Sequence, residues 1–143
     1  MADSALQAKG NAVYVDTTTN LSAAIGKLVT FTAGVPAVNA SLTVPAMGVV
    51  LDARVRTVST GATYYDNAIL CTAVPPGPVR VLLNANSVAL SFGDSLMQAS
   101  DGTVTKDVGP GTARCVVGFC TDENGAQPGD FFEACLTAGD VRS

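Results

Sequence analysis

From Leu21 onward, every apolar run in this chain is cut after a handful of residues by Gly, Pro, Asn or Asp, a cadence that leaves no room for helices of useful length. Where apolar residues recur, they do so at every second position, the period of a half-buried strand. Strands are expected over Lys27 to Thr32, Ala40 to Val44, Val49 to Val58, Ala68 to Val74, Val79 to Asn84, Val88 to Phe92, Ser95 to Ala99, Ala113 to Thr121 and Phe131 to Thr137. Only Ser22 to Gly26 suits a turn of helix. The expected class is all-β, a small β-barrel or β-sandwich-like domain with an extended N-terminal arm. Residues 1 to 20, small and polar around the short β-prone Val13-Tyr14-Val15, form the arm, and residues 21 to 143 form a single β domain.

The C-terminal third repeats one phrase, a Gly-Asp turn followed by an apolar pair and a strand, at Gly93-Asp94 and again at Gly129-Asp130. Asp101-Gly102 between them is a hairpin signal. In Val49 to Val58, Leu51, Ala53 and Val55 are expected on one face and Asp52, Arg54 and Arg56 on the other. Pro75-Pro76-Gly77-Pro78 lacks the ladder donors of a strand interior and reads as a rigid loop or edge.

Charged residues make up 14% of the chain and apolar residues 48%, too little charge to coat an isolated sphere well. Apolar surface must then meet either lipid or protein. The longest uncharged run, Leu28 to Leu51, contains Pro36, Pro45 and five Ser, Thr or Asn side chains, which argues against a spanning helix. The start of the chain shows neither a basic n-region nor an apolar h-region, so synthesis in a cytoplasm is expected. A net charge of −4 with cations scattered singly, apart from Arg54 and Arg56, disfavours nucleic acid. Partner proteins, including other copies of the chain, remain.

Catalytic chemistry finds little to work with. The absence of histidine removes the Ser-His-Asp and Cys-His machines. Asp122-Glu123 next to Asn124-Gly125 reads as a solvated hairpin turn in preference to a paired-carboxylate site. Cys71, Cys115, Cys120 and Cys135 read as buried free thiols before a disulfide or a zinc site, and the odd spacing of Cys115 and Cys120 in one strand places them on opposite faces. No catalytic residue, cofactor or metal is expected. Arg54, Arg56, Tyr64 and Tyr65 are candidate contact residues, with a solvated strand face as the alternative for the arginines and core packing for at least one of the tyrosines.

The succession Phe92-Gly93-Asp94-Ser95-Leu96, Ala99-Ser100-Asp101-Gly102-Thr103-Val104, Val116-Val117-Gly118-Phe119-Cys120 and Gly129-Asp130-Phe131-Phe132-Glu133-Ala134 resembles the C-terminal part of tailed-phage capsid decoration proteins, also called cement proteins. The resemblance implies a small β domain, often a homotrimer, on the outer capsid surface of the virion. There it would tie major capsid protein subunits together after the head expands. In that setting the arm, residues 1 to 20, is expected to order on binding as extended peptides do when they add to sheets, with Val13, Tyr14 and Val15 pairing with a strand edge of the capsid or of a neighbouring subunit. The competing reading is an adhesive or receptor-binding β domain of a phage fibre. Such domains usually display aromatic platforms, whereas this chain has no Trp and 6% aromatic residues.

Overall fold

The computed structural model describes residues 12–17, 19–71 and 78–143; for 12–17 and Cys71 it describes the backbone alone. The architecture is all-β. Two antiparallel five-stranded sheets pack face to face, and no α-helix occurs among the described residues. The first sheet contains β1 (Ala12–Thr17), β2 (Leu28–Thr32), β3 (Val35–Val38), β4 (Gly48–Thr57) and β5 (Thr63–Cys71), in the order β1-β5-β4-β2-β3. The second contains β6 (Pro78–Leu82), β7 (Ser95–Gln98), β8 (Val104–Lys106), β9 (Arg114–Cys120) and β10 (Phe131–Arg142), in the order β6-β10-β9-β7-β8. A single parallel bridge, Leu83 to Val104, brings the two edges of the second sheet together at one point without closing a barrel. Of the two expected forms, the sandwich is the one adopted.

The main core lies between the sheets. Leu28, Val49 and Leu70 from the first meet Val81, Leu96, Val117, Phe132 and Leu136 from the second, all buried. Because side chains alternate, Val29, Val50 and Ile69 point out of the other face of the first sheet. That face is covered by Leu21 and Ala24, the latter in a single 3-10 turn over Ser22–Ala24, so this sheet is buried on both sides. On the outer side of the second sheet Met97 and Val116, paired with each other, are buried, whereas Phe119 and Phe131 are partly exposed. Backbone bonds from Leu28 N to Gly102 O (2.7 Å) and from Leu82 N to Gly26 O (3.0 Å) fasten the layers.

Two bulges correct the parity expected from sequence. Leu51 is the extra residue between Val50, opposite Ile69, and Asp52, opposite Ala68. The insertion flips the alternation, so Leu51 packs against the inter-sheet core while Ala53 packs with Val50 on the other face. Val55 lies beyond the covered area and is 62% exposed. In β9, Val117 is the extra residue against β7, and Cys115, Val117 and Cys120 consequently all join the same core. Cys115 and Cys120 therefore share a side, contrary to the expectation of opposite faces.

Several elements differ from expectation. Ala40 to Val44 is a loop, and the neighbouring strand is Val35–Val38, paired with β2. Val88 to Phe92 contributes only the bridge from Leu90 to Ala126. β5 begins at Thr63, β8 is an additional strand, and β10 runs to Arg142. Of the segment expected as an arm, Ala12–Thr17 is an edge strand of the chain's own sheet, with Val13 opposite Ile69, Tyr14 opposite Ala68 and Val15 opposite Asn67. Residues 1–11 and the Pro75-Pro76-Gly77 portion of the proline loop lie outside the described residues.

A buried ion pair anchors the glycine-rich connection from β8 to β9. Arg114, 3% exposed, donates through Nε and Nη2 to the Asp107 carboxylate and through Nη1 to Thr112 O. Asp107 also accepts from Gly109 N, which wraps the loop around the pair. The Arg114 hydrogen bond holds the Asp107 carboxyl below its ordinary value of 3.8 despite burial, helped by Gly109 N and the charges of Arg114 and Arg142. At Asp101, burial pushes upward, but hydrogen bonds from Thr103 and Asn84 and the charge of Lys27 outweigh it, and its carboxyl is also lowered. Groups with folded pKa values below their unfolded ones contribute stability above the unfolded pKa, and that stability is lost as pH falls through the folded one. Urea midpoints should therefore be flat above about pH 5 and decline between about pH 4 and about pH 2. Asp107→Asn should lower the midpoint at neutral pH and flatten part of that acid decline; an unchanged acid slope would refute the assignment.

Candidate functional site

Four of the residues singled out from sequence, Arg54, Arg56, Tyr64 and Tyr65, converge on one hairpin. β4 and β5 run together beyond the core and turn at Val58 to Ala62, closed by Val58 N to Ala62 O at 3.0 Å. Exposure rises along β4 from 0% at Val50 to 62% at Val55, so the distal half stands clear of both sheets' cores. Register places Arg54 opposite Asp66, Arg56 opposite Tyr64 and Val55 opposite Tyr65. Facing residues of an antiparallel pair share a face. Arg54, Arg56, Tyr64 and Asp66 thus lie on one side, and Val55 and Tyr65 on the other. Arg54 Nε reaches Asp52 at 3.2 Å, Arg56 Nε reaches Asp66 at 3.3 Å, and the Arg56 guanidinium stands 5.3 Å from the Tyr64 ring centre. Ion pairs this exposed contribute little and exchange partners readily. Thr17 of β1 pairs with Tyr65, so Val13, Tyr14 and Val15 belong to the same sheet, further along β5.

A second surface has no counterpart in the sequence reading. The loop from Asn39 to Met47 joins β3 to β4 within the first sheet and reaches over to bond Gln98 and Cys115 of the second, and buried amides hold its backbone. Gln98 is 1% exposed; its Oε1 accepts from Ala46 N (2.7 Å), and its Nε2 donates to Val44 O (2.8 Å) and Ser41 O (3.1 Å). Asn39, also buried, accepts from Ser41 N and donates to Val44 O. Ser41 Oγ accepts from the Thr43 and Val44 amides, and Leu42 O accepts from Cys115 N. What this fixed loop shows to solvent is apolar: Leu42, Val44 and Met47 are each exposed by two fifths or more. A strand reading of Ala40 to Val44 hid this surface. The signal that could have shown it is Asn39 with Ser41, an Asx and hydroxyl pairing that bonds its own backbone and competes with strand formation.

The third surface is the part of the second sheet's outer face around β9 and β10 that stays exposed. Phe119 and Phe131 are 40% and 42% exposed, and Cys135 of β10 lies opposite Phe119 of β9. Arg80 of β6 is opposite Glu133, yet its guanidinium lies 4.8 Å from the Phe131 ring centre. Gly93 N bonds Cys120 O, bringing the loop that carries exposed Phe92 to the end of β9.

The two buried thiols of the core, Cys115 and Cys120, are poor nucleophiles. Burial raises Cys115, reinforced by the Asp140 charge, and burial raises Cys120 against a bond at Asp122. Among the described residues, no group of three or more Cys, Asp or Glu is placed to hold a metal ion. The arrangement is thus a rigid scaffold carrying three displays of apolar and mixed-charge surface. No protein-family model matches the chain, and no curated protein matches it.

Proposed function

We propose that this protein is a decoration protein of a tailed-phage head, binding the outer surface of the expanded capsid as a homotrimer and bridging neighbouring major capsid protein subunits. The observation that carries the reading is the Asn39 to Met47 loop. Two buried amides are spent on fixing a backbone whose exposed side chains are Leu42, Val44 and Met47. A loop already in one conformation loses little entropy on docking, so more of the apolar burial appears as affinity. A contact of ordinary size removes about 800 Å² from each partner. Repeated over many copies, a modest gain at each seam resists the outward pressure of packaged DNA. Made in the host cytoplasm, the protein would join the virion when head expansion exposes its sites.

The test is to mix purified protein with expanded, undecorated capsids and count bound copies by electron microscopy. Saturable binding with a raised capsid rupture temperature is expected. The double variant Leu42→Asp, Met47→Asp should keep the free protein's Tm and lower occupancy at least about tenfold, because charges placed in an apolar contact must be desolvated. A wild-type protein that ignores expanded shells would overturn the proposal.

A further inference from the structure

The first sheet is covered on its outer side by Leu21 and Ala24, whereas the outer side of the second presents phenylalanine to solvent. Around Phe119 and Phe131 the charge is mainly negative. Glu133 is exposed on β10 between them, and Asp122, Glu123 and Asp130 sit in the β9 to β10 connection, where Thr121 N bonds Glu133 O and Glu133 N bonds Asp122 Oδ2. Arg80 shows what such a face accepts. Although it lies across from Glu133, its guanidinium is stacked on Phe131, and no ion pair holds Glu133 among the described residues. An aromatic ring beside a carboxylate attracts a guanidinium through both. Phe119, one strand over, offers a second ring of comparable exposure.

The matching shape is on this same chain. Arg54 and Arg56, two residues apart on one face of β4, are carried on a hairpin that protrudes from the first sheet, and their ties to Asp52 and Asp66 are exposed. The hairpin belongs to the layer opposite the phenylalanine face, so the contact must come from another molecule.

We propose that the Arg54 and Arg56 hairpin of one copy docks on the Phe119, Phe131 and Glu133 face of a second copy, a head-to-tail contact in which each subunit uses two different surfaces. Such contacts close into rings when the rotation allows. This inference rests on the homotrimer of the proposed function and names its contact, but it does not depend on a viral shell: reversed variants that associate as wild type does refute this contact alone, whereas failure to bind expanded capsids refutes the shell reading alone.

The experiment is sedimentation velocity with light scattering on three proteins: wild type, Arg54→Glu with Arg56→Glu, and Glu133→Arg with Glu123→Arg. All four positions are exposed, and unchanged melting curves verify the fold. Wild type should self-associate and weaken with salt. Each charge-reversed protein should associate at least about 100-fold more weakly, because like charges then meet at the contact. Mixed in equal amounts, the two reversed proteins should assemble again, since each hairpin now faces a surface of opposite sign. A monomeric wild type, reversed variants that associate as wild type does, or a mixture that stays dissociated would each overturn the proposal.

Discussion

Gly118→Ala should lower Tm by about 10 °C or more, the largest effect expected from removing or adding one carbon in this chain. Gly118 has φ +148°, a conformation that side-chain-bearing residues rarely adopt. A Cβ built there would lie 2.0 Å from Cys135 O and 3.0 Å from the Leu136 Cα. Both neighbours are backbone atoms of β10 held in the sheet, so neither can swing aside as a flexible side chain would. Strained backbone costs about 1–3 kcal/mol, and overpacking adds a similar amount. For a domain of this size a total of about 3–5 kcal/mol corresponds to roughly 10–15 °C. Gly109→Ala and Gly129→Ala are the controls: both have φ above +80°, but open space surrounds the added carbon. They should lose only the conformational part, about 1 kcal/mol. Calorimetry on the three variants distinguishes the cases, and a Gly118→Ala melt matching the controls would show that β10 gives way.

The position of Gly118 also explains what the sequence could and could not reveal. Its neighbours in β9 are apolar at nearly every position, so the strand itself was legible from Arg114 to Cys120. The bulge was not, because an uninterrupted apolar run carries no parity to break. The same limit applied to β4, where alternation from Asp52 onward was read correctly but Leu51 was assigned to the wrong side of a bulge. Bulges are set by the partner strand, which a single strand's pattern does not contain.

Turn chemistry was legible where it followed common usage. Asp101-Gly102 does close β7 onto β8, with Ala99 N bonding Thr103 O. The turn between β2 and β3 uses Ala33 at φ 50° and Gly34 at φ 80°, a pair of left-handed residues in which alanine gives no warning. Without a turn signal there, the sequence does not mark Val35–Val38 as the strand in preference to Ala40 to Val44. The start of β5, Thr63 to Asp66, is not legible as strand from sequence because its hairpin half lies at the margin of the core and has no reason to be apolar. The candidate residues Arg54, Arg56, Tyr64 and Tyr65 were nonetheless visible by type, and register brings them together. Leu42, Val44 and Met47 were not, since an exposed apolar side chain reads as a core residue until the structure shows what it faces.

Gln98→Glu tests whether the apolar loop is held as described, and its effect should depend on pH. The wild-type amide uses both ends: the oxygen accepts from Ala46 N, and the nitrogen donates to Ser41 O and Val44 O. A carboxylate keeps the first bond but sets its second oxygen against two carbonyls in a site 1% exposed. Burial and those carbonyls disfavour the charged form, so the new carboxyl's folded pKa must rise above its unfolded value of about 4.3. The charge part of the penalty is then absent below about pH 4, where the neutral acid still donates one of the two bonds and only the other is lost. It grows as pH rises and levels off above the folded pKa. At neutral pH a loss of about 3–4 kcal/mol is expected, since breaking a buried charged or polar set leaves its members unpaired. Gln98→Leu should cost a comparable amount with no such pH dependence. Urea titrations of both variants across pH measure the difference; parallel curves would mean that water reaches the site and the loop is not fixed by the amide. On the proposed capsid function, in which the loop's fixed shape lowers the cost of docking, both variants should also bind expanded capsids more weakly than their remaining folded fraction accounts for.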